Sequence, residues 1–379
     1  MNNRAGTFIM QSSGYKSFKP HKLPPEPPIE FDAEMMGLLS EADRKLGRLD
    51  GITQILPNPD LSVAMYVQKE AVLSSQIEGT QASLTDVLEL NTKGEKHEDI
   101  TEVVNYVNAM NYGLSRLKEF PLCLRLIREI HEKLLSNGRG SNRNPGEFRK
   151  TQNWIGPSGC TLNNARFVPP TVPDMEKAME ELEDFFYQED YIPPLIKIAM
   201  IHSQFESIHP FLDGNGRMGR LLITFWLCQQ GILTQPLLYL SYYFKKNRLE
   251  YYDRLMAVRE KGDWEGWIKF FLRGVSFTSD EATGTAKEII ELKTKCEKLI
   301  ANKGYSTVYS IFLDELFKHP VISKNNLTDI LGVSYPTVSK IVDDFCADNI
   351  LQDITPEQKR NKRFVFSAYM EILNRGTEI

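Results

Sequence analysis

Apolar residues recur at helical spacing along most of this chain. The pattern starts near Phe31 and continues to about Ala301. It is clearest where five apolar residues lie four, three, four and three positions apart, which places them on one helical face: Val103, Val107, Met110, Leu114 and Leu117. A second face of the same spacing lies within residues 127–134. The pattern predicts a mainly α protein with an all-helical core.

Two segments depart from this pattern. In residues 152–170, short extended runs near Asn153–Ile155 and Arg166–Val168 flank a turn rich in Gly, Pro and Asn. This predicts a short β-hairpin on the helical body. The first thirty residues carry five prolines between residues 20 and 28, and proline excludes a helix there. We expect a proline-rich extended arm over residues 1–30 that packs along the surface.

The last seventy residues have a different order of elements. Helices are predicted near Thr307–Phe317, Lys324–Leu331 and Tyr335–Asp348, followed by strands near Ile350–Asp353 and Arg363–Phe366. A turn beginning at Gly332 separates the second and third helices. Two helices, a turn, a helix and a two-stranded wing form the order of a winged helix-turn-helix. We expect that domain over residues 305–373.

Composition narrows the class of protein. A chain of 379 residues is long enough for two to three domains. Its 41% hydrophobic and 25% charged residues are typical of a globular protein. Forty-five basic and fifty acidic residues give a formal charge of −5, which excludes a nucleic-acid binder driven by bulk charge.

Cysteine usage and the absence of targeting signals suggest a compartment. The five cysteines are scattered and contain no CxxC pair, so we expect neither a disulfide framework nor a structural zinc site. The N-terminal residues lack the order of a signal peptide, and no apolar run is long enough for a bilayer. We therefore expect a soluble cytoplasmic protein.

The densest chemical signal is the run HPFLDGNGRMGR at residues 209–220, which lies between two predicted helices. Gly214 and Gly216 allow the backbone to approach an anion, and the following helix begins with free N–H groups. Asp213 is a hard oxygen ligand of the kind that Mg²⁺ prefers. The loop therefore has the features of a phosphate or nucleotide site.

The same run carries two arginines and a histidine. Arg217 and Arg220 are three residues apart on one helical face and are able to hold phosphate oxygens. His209 has the ordinary pKa of a general base near neutral pH. The alternative is a Gly-rich turn between helices with an Asp cap and exposed arginines, and the combination of these groups argues against it. His202 lies seven residues earlier, on the core-facing side of the preceding helix, and is expected to be a core residue.

The run matches the Fic signature HPFx(D/E)GNGRxxR at every defined position. The chain therefore resembles the Fic adenylyltransferases, helical enzymes that transfer AMP from ATP to a protein hydroxyl group and release pyrophosphate. The hairpin over 152–170 resembles the family's flap, and residues 241–252 are similar to the helix that follows the active site. The resemblance covers almost the whole chain.

By this resemblance, His209 deprotonates a Ser, Thr or Tyr hydroxyl of a target protein and Asp213 holds the Mg²⁺ that accompanies ATP. The anion cradle is formed by Gly214, Asn215 and Gly216. Arg217 neutralises the β-phosphate and the departing pyrophosphate, and Arg220 contacts the γ-phosphate. The loop itself carries no adenine-specific group.

Two further sets of residues are carried over from the family. Asn247 is a candidate for an adenine contact, although a polar residue at a helix start explains it equally well. The flap is expected to hold the target chain by main-chain hydrogen bonds, with an ordinary surface hairpin as the alternative. The flap residues in question are Asn153, Trp154, Ile155, Gly156, Phe167 and Val168.

An upstream segment, LSSQIEG at residues 73–79, resembles the family's inhibitory motif (S/T)xxxE(G/N). Ser74 and Glu78 share a helix face, and Gly79 suits a helix end. In the family this glutamate pairs with the second arginine of the signature, here Arg220, and prevents productive ATP binding. We therefore expect autoinhibition by Glu78, and removal of AMP from the target as a further activity. Residues 74–79 are called the inhibitory segment below.

A DNA-binding transcriptional regulator, with the Fic core in a sensory role, is the competing interpretation. The predicted third helix offers Tyr335, Thr337, Ser339 and Lys340, and the wing carries a basic cluster over Lys359–Arg363. However, residues 334–349 contain one lysine against three aspartates, which disfavours strong DNA binding. We favour weak binding of DNA or protein by this module. A toxin that needs a separate antitoxin is a third interpretation, disfavoured by the inhibitory segment on the same chain.

These interpretations divide the chain into five parts. After the arm come an N-terminal helical region with the inhibitory segment over residues 31–95 and a catalytic core over 96–280. A connecting helix over 281–304 leads to the winged helix-turn-helix. Related proteins often form dimers, so a homodimer and self-modification are candidate partner interactions, and the oligomeric state stays open.

Overall fold

The fold was examined in a computed structural model that describes residues 3–53, 59–93, 98–157, 159–358, 360 and 362–378. The helices are α1 (Ala33–Thr53), α2 (Pro59–Ile77), α3 (Leu84–Lys93), α4 (Glu98–Arg116), α5 (Leu124–Leu134), α6 (Val172–Tyr187), α7 (Pro194–Ile208), α8 (Asn215–Gln229), α9 (Ser241–Lys246), α10 (Arg248–Lys261), α11 (Trp264–Asn302), α12 (Thr307–Lys318), α13 (Lys324–Leu331), α14 (Tyr335–Ala347) and α15 (Ser367–Asn374). The strands are β1 (Gly6–Met10), β2 (Lys16–Pro20), β3 (Val321–Ser323), β4 (Gln352–Asp353) and β5 (Arg363–Val365).

Helices α7 and α8 form the centre of the fold. Every residue of α7 from Leu195 to Ile208 is buried, and α8 is buried from Arg217 to Leu227. A helix that is buried on all sides must be enclosed by other elements. Helices α6, α10 and α11 pack against α7, and α2, α4 and α5 pack against α8. The loop between these two central helices is the run 209–214 of the signature.

The amphipathic faces read from the sequence form the surrounding layer. In α4, Val103 and Met110 are buried, and in α5 Ile127, Ile130 and Leu134 are buried. The mainly α class is therefore confirmed. Within the described residues, no helix combines the length and apolar character that crossing a membrane requires.

The N-terminal segment is more structured than a plain extended arm. Strands β1 and β2 form an antiparallel hairpin in which Gly6 pairs with Pro20, and Gly14 in the turn has φ +88°. The sequence analysis missed this hairpin because the proline cluster follows it and dominates the local signal. Phe18 is buried, and its N–H donates to the carbonyl of Val168 at 2.9 Å. The hairpin thus joins the flap through β2, while β1 remains exposed at the surface.

The flap contains less β structure than the sequence predicts. A single antiparallel bridge joins Ile155 and Phe167, whose N–H groups donate to each other's carbonyls at 2.8 and 3.0 Å. The rest of the segment is held by side chains. Gln152 donates to the carbonyl of Pro169, and Arg149 donates to that of Pro170. Side-chain hydrogen bonds therefore replace part of the main-chain pairing of a regular hairpin.

The C-terminal part contains each element expected there, with small changes of bounds. The third helix ends at Ala347, and β4 and β5 are shorter than the predicted strands. Strand β3 and helix α15 were not predicted. The sheet has the order β3-β5-β4, so β5 lies in the middle and pairs antiparallel with both neighbours. Lys359 of the expected wing cluster lies outside the described residues.

One long helix connects the two ends of the molecule. Helix α11 runs without interruption from Trp264 to Asn302 and crosses residue 280, where the sequence analysis places a domain boundary. The domain boundaries stay predictions. Helix α1 packs along α11, and α15 packs against both α11 and α3. The end of the chain thereby returns to the N-terminal helical region.

Candidate active site

The signature loop is closed by its own backbone and by one asparagine. His209 ends α7 in the left-handed conformation with φ +51°, which is uncommon outside glycine. Gly214 begins α8 with φ +75°. The side chain of Asn215 accepts from the N–H of Phe211 and donates to its carbonyl, both at 2.8 Å. Asn215 therefore braces the loop through its side chain and is not a free ligand for an anion.

His209 is held as a neutral imidazole. Burial, together with the nearby cations Arg259 and Arg149, lowers the pKa of His209 to about 3. Its Nδ1 is buried and finds no hydrogen-bond partner among the described residues. The His209 carbonyl accepts from Arg149 Nε at 3.1 Å and from Asn153 Nδ2 at 3.2 Å. The backbone is thus fixed, and the ring borders the cavity between the flap, α8 and α10.

Asp213 is positioned by a second histidine. The ring of His131 stacks on Phe211 with centroids 3.6 Å apart, and its Nδ1 accepts from the N–H of Gly146 at 3.0 Å. The other nitrogen, Nε2, therefore donates to the carbonyl of Asp213 at 2.9 Å. Burial lowers the pKa of His131 to about 4, so it stays neutral. The Asp213 side chain is about one third exposed and faces the site.

Arg220 is enclosed by the inhibitory segment. Its Nη2 donates to Glu78 Oε1 at 2.8 Å and to the carbonyl of Ser74 at 2.9 Å, and its Nε donates to Ser74 Oγ at 2.8 Å. Only 2% of the Arg220 side chain is exposed. Burial opposes ionisation of Glu78, but the charge of Arg220 and the hydrogen bond from it outweigh burial and lower the pKa of Glu78. The pair is therefore fully ionised at neutral pH.

Glu78 also covers the start of α8. A Cβ added to Gly216 would lie 2.2 Å from Glu78 Oε1, so the carboxylate rests directly on the backbone of the first helical turn. The N-terminus of a helix attracts anions because its N–H groups are unpaired and its dipole is positive there. A carboxylate in this place occupies the position that suits a phosphate group.

Arg217 has its own carboxylate partner. Its Nη1 lies 3.3 Å from Glu102 Oε2 on α4, and both side chains are only 3% exposed. A second carboxylate, Asp213 Oδ1, lies 3.7 Å from Nη2. The Nε atom of Arg217 is buried without a partner in the described part of the chain. The signature arginines thus face two acids that come from α2 and α4.

These groups border a cavity of about 410 Å³ between the flap, α8 and α10. Its polar wall includes Glu78, His209 and Arg220, and its other wall includes Tyr252 and Met256. Glu206 also faces the cavity. Burial raises the pKa of Glu206 to about 7, although Arg220 acts in the opposite direction. Its Oε1 has no partner among the described residues.

The structure brings most of the predicted site residues together. One cavity is lined by His209, Gly216, Arg220, Glu78 and the flap residues Ile155, Gly156 and Phe167. Ser74 bonds to Arg220, and Asp213 and Arg217 lie close to each other at the same end of α8, next to Gly214. Asn247 lies at the start of α10 but does not cap that helix, and its side chain donates to the carbonyl of Tyr243 in α9 at 3.0 Å. Its adenine contact stays a prediction.

The sequence analysis missed the residues that support the site from outside the signature. Glu102, His131, Arg149 and Arg259 reach it from elements far apart in the chain, and no spacing in the sequence relates them to His209. Glu206 is the exception. It lies three residues before His209, so helical spacing alone places it near the same end of α7.

The two segments that build this site match a known family. Residues 36–115 match the family described as "Fic/DOC family N-terminal", and residues 121–227 match the "Fic/DOC family". The second match contains the whole signature, and the first contains the inhibitory segment. These two segments belong to the Fic/DOC family. The pairing of Glu78 with Arg220 is thus a contact between the two Fic segments.

Curated relatives of the Fic segments carry the name "Protein adenylyltransferase Fic". The protein of Drosophila grimshawi is 30% identical over 196 residues, which cover 50% of this chain and 37% of the relative. That of Culex quinquefasciatus is 31% identical over 217 residues, covering 54% and 40%. That of Nematostella vectensis is 27% identical over 260 residues, covering 66% and 56%. The chain therefore spans less than two thirds of the length of these relatives.

Solved structures show the Fic fold. A Fic family protein from Desulfovibrio desulfuricans superposes with a TM-score of 0.57 at 21% identity, covering 90% of this chain and 98% of that protein. A Fic domain containing signaling protein from Bacteroides thetaiotaomicron superposes with a TM-score of 0.50 at 20% identity, covering 67% and 97%. At these identities the likeness supports the fold alone.

Proposed function

We propose that this chain is a protein adenylyltransferase that transfers AMP from ATP to a hydroxyl group of a target protein. The observation that carries the proposal is the placement of a neutral His209 beside two buried arginines at the start of α8, in a cavity that opens along the flap. The curated relatives named as adenylyltransferases support the same reaction class. The target oxygen would bond to the α-phosphorus while the bond to the pyrophosphate breaks.

His209 is suited to accept the hydroxyl proton. A general base must be unprotonated and within hydrogen-bond reach of the proton that it removes. The low pKa of His209 satisfies the first condition at neutral pH. His209 borders the cavity, so a target hydroxyl group bound there would lie beside its ring. The tetraanionic ATP would raise the pKa of His209 and strengthen it as a base.

Phosphate binding would use the two arginines and the start of α8. Arginine binds phosphate oxygens through two parallel N–H groups, and the helix dipole adds attraction for an anion. The geometry fits a magnesium ion held through a single carboxylate, because Asp213 is partly exposed and Mg²⁺ takes most of its ligands from phosphate and water. When bound, this ion would neutralise charge on the phosphates.

Autoinhibition by Glu78 is part of the proposal. The carboxylate occupies the anion-binding position at Gly216 and holds Arg220, so a γ-phosphate and Glu78 would compete for the same place. Since Glu78 remains ionised beside the cavity, it is also suited to orient a water molecule for the reverse reaction, removal of AMP from the target. Both roles depend on a carboxylate at this position.

Target docking is proposed for one edge of the flap. The edge at Val168 is already bonded to Phe18 of β2. The opposite edge, at residues 153–156, is the one that remains for an incoming chain. Main-chain pairing at this edge would orient a hydroxyl near His209 with little demand on the target sequence.

We infer that the C-terminal module is a winged helix-turn-helix with weak affinity for DNA or protein. The order of its helices and the three-stranded sheet support this assignment. Two of its described cations are engaged with acids: Lys324 lies 2.8 Å from Asp343, and Lys362 lies 2.7 Å from Asp353. Paired cations neutralise fewer phosphates, which lowers DNA affinity. In a gel-shift titration, a steep loss of affinity with salt at a defined operator would instead favour the regulator interpretation.

The reaction class is tested with ATP labelled either at the α- or at the γ-phosphate. Full-length protein is incubated with each form, Mg²⁺ and a protein extract, and the protein-bound label is counted. Adenylyl transfer predicts α-label on protein and no γ-label, and His209→Ala should abolish it. Transfer of γ-label would show phosphorylation and contradict the proposal.

A further inference from the structure

A buried acid outside both motifs contacts the first signature arginine. Glu102 Oε2 accepts from Thr80 Oγ1 at 2.9 Å and lies 3.3 Å from Arg217 Nη1. Thr80 directly follows the inhibitory segment and is itself buried. A buried ion pair with further hydrogen bonds has a defined geometry, since each partner loses stabilisation when it moves. Glu102 therefore fixes the guanidinium of Arg217.

A second carboxylate, Asp213, also lies close to Arg217. The guanidinium lies between Glu102 and Asp213, whose Oδ1 is 3.7 Å from Nη2. Without Glu102, the attraction of Asp213 would be unopposed and Arg217 would move onto the carboxylate that is suited to a cation. Glu102 keeps the two groups apart, so that one stays available for phosphate and the other for the metal.

We propose that Glu102 is a positioning residue for Arg217, and that Thr80 connects it to the inhibitory segment. This inference rests on the proposed adenylyl transfer. Glu78 contacts Arg220 directly, and the chain Thr80–Glu102 reaches Arg217, so a single stretch of seven residues influences both phosphate-binding arginines. If Glu102 only held α4 against α8, its removal would lower stability but would not lower kcat while leaving ATP affinity unchanged.

The test uses Glu78→Gly as the parent, into which Glu102→Ala and Glu102→Gln are introduced. Glutamine retains an acceptor oxygen at the same reach. We expect Glu102→Ala to lower kcat at least tenfold and to raise the Mg²⁺ concentration for half-maximal rate at least threefold. The Kd for ATP without metal, measured by calorimetry, should change less than threefold, and Glu102→Gln should retain most of kcat. Glu102→Asp, which keeps the charge and shortens the reach, replaces alanine if that variant does not fold.

Two results would overturn the inference. One is a Glu102→Ala variant with the kcat of the parent. The other is a loss of ATP affinity equal to the loss of kcat/KM, which would assign Glu102 to ground-state binding alone. A parent that transfers no AMP would instead refute the proposed function, so the two failures are distinguishable.

A separate set of contacts joins the inhibitory segment to the end of the chain. Gln76, in the middle of the segment, donates to the carbonyls of Ala82 at 3.0 Å and of Thr377 at 2.9 Å. Its Oε1 accepts from Lys245 Nζ at 2.7 Å, and Lys245 also donates to the carbonyl of Glu378. Residues 374–378, called the tail below, are thus bonded directly to Gln76 and share Lys245 with it.

The tail is packed closely enough to need a glycine. Gly376 has φ +80°, and a Cβ there would lie 2.2 Å from Cε2 of Tyr242. Thr377 is buried, and Arg375 forms two bonds of 2.7 Å to Glu288 on α11. Because the tail directly continues α15 of the C-terminal module, any movement of that module is transmitted to the tail.

We propose that the tail is a second restraint on autoinhibition, and that displacing it releases the inhibitory segment from Arg220. This inference also rests on the proposed function. A ligand that shifts the C-terminal module would then activate the enzyme without touching the nucleotide site. The restraint acts through Gln76, so its loss should resemble a partial loss of Glu78.

Gly376→Val displaces the tail by a point change. Gly304→Val is the matched control, because Gly304 has φ +63° but no atom within 4 Å of an added Cβ. We expect Gly376→Val to raise AMP transfer at least fivefold over Gly304→Val, and to add nothing in the Glu78→Gly background. Amide hydrogen exchange of residues 72–80 should become faster in Gly376→Val, whether or not the protein transfers AMP. Unchanged exchange and activity relative to the control would overturn the inference.

Discussion

Substitution of Glu78 by glycine tests the inhibitory contact. The change removes the carboxylate that holds Arg220 and covers the backbone of Gly216. The two bonds from Arg220 to Ser74 remain, so the guanidinium keeps its place beside the start of α8. We therefore expect a protein that binds ATP in a productive pose and transfers AMP faster than wild type.

The size of the effect follows from the lost hydrogen bond. A bond between two charged groups contributes about 1.5–3 kcal/mol net. If the γ-phosphate must replace Glu78 at Arg220, this energy is lost each time ATP binds productively. At about 1.4 kcal/mol per factor of ten, removing the competitor should raise kcat/KM for ATP about 10- to 100-fold. Ser74→Ala removes one uncharged acceptor of Arg220 but leaves the Glu78 carboxylate at the start of α8, so it should raise kcat/KM less than Glu78→Gly does.

The assay follows incorporation of α-labelled ATP into protein, with wild type, Ser74→Ala, Glu78→Gly and His209→Ala compared at several ATP concentrations. The expected order of kcat/KM is Glu78→Gly, then Ser74→Ala, then wild type, with no signal from His209→Ala. If Glu78→Gly equalled wild type while His209→Ala lost all activity, the reasoning about the inhibitory contact would fail.

Two further predictions concern the flap and the buried acid Glu206. Ile155→Asp should lower modification of a protein target at least tenfold and raise the Kd for ATP by a much smaller factor, because it adds a charge at the proposed docking edge. Asn163→Asp, which adds the same charge at the exposed turn, should change neither, and equal loss of ATP binding would contradict docking. Burial raises the pKa of Glu206 from 4.5 to about 7, so between these pH values the folded protein keeps a proton that the unfolded chain has released. The free energy of unfolding therefore falls as pH rises from 4.5 through 7. Denaturant titrations at pH 5 and pH 8 should show Glu206→Gln gaining up to about 3 kcal/mol relative to wild type at the higher pH, whereas a pH-independent difference would refute the buried-acid argument.

The residues proposed to bind substrate were accessible from sequence because they are local. His209, Asp213 and the two arginines lie within twelve positions, and the helical periodicity on either side places that loop between two helices. Glu78 is more than 130 positions away, and its assignment depended on the resemblance of a second motif. The contact between Glu78 and Arg220 has the partners that this resemblance implies.

The parts that sequence reasoning missed depend on tertiary contacts. Glu102 lies on a helix whose apolar face was recognised, but an isolated acid on such a helix carries no sign of its partner. Strand β3 is short and gains its pairing from β5, which lies about forty residues later in the chain, and β2 bonds to the distant Val168 through Phe18. The tail has no periodicity at all. Its position is determined by Gln76, Lys245 and Tyr242, which are more than 130 residues away.

The most direct test of the account is intact-mass spectrometry of Glu78→Gly and wild type after incubation with ATP, GTP or UTP and Mg²⁺. The account predicts that Glu78→Gly gains the mass of AMP from ATP, on itself or on an added target, and that wild type gains much less. Fragmentation of the product should place the AMP on a hydroxyl side chain. No added mass from any nucleotide with the folded Glu78→Gly protein and a target extract would contradict adenylyl transfer.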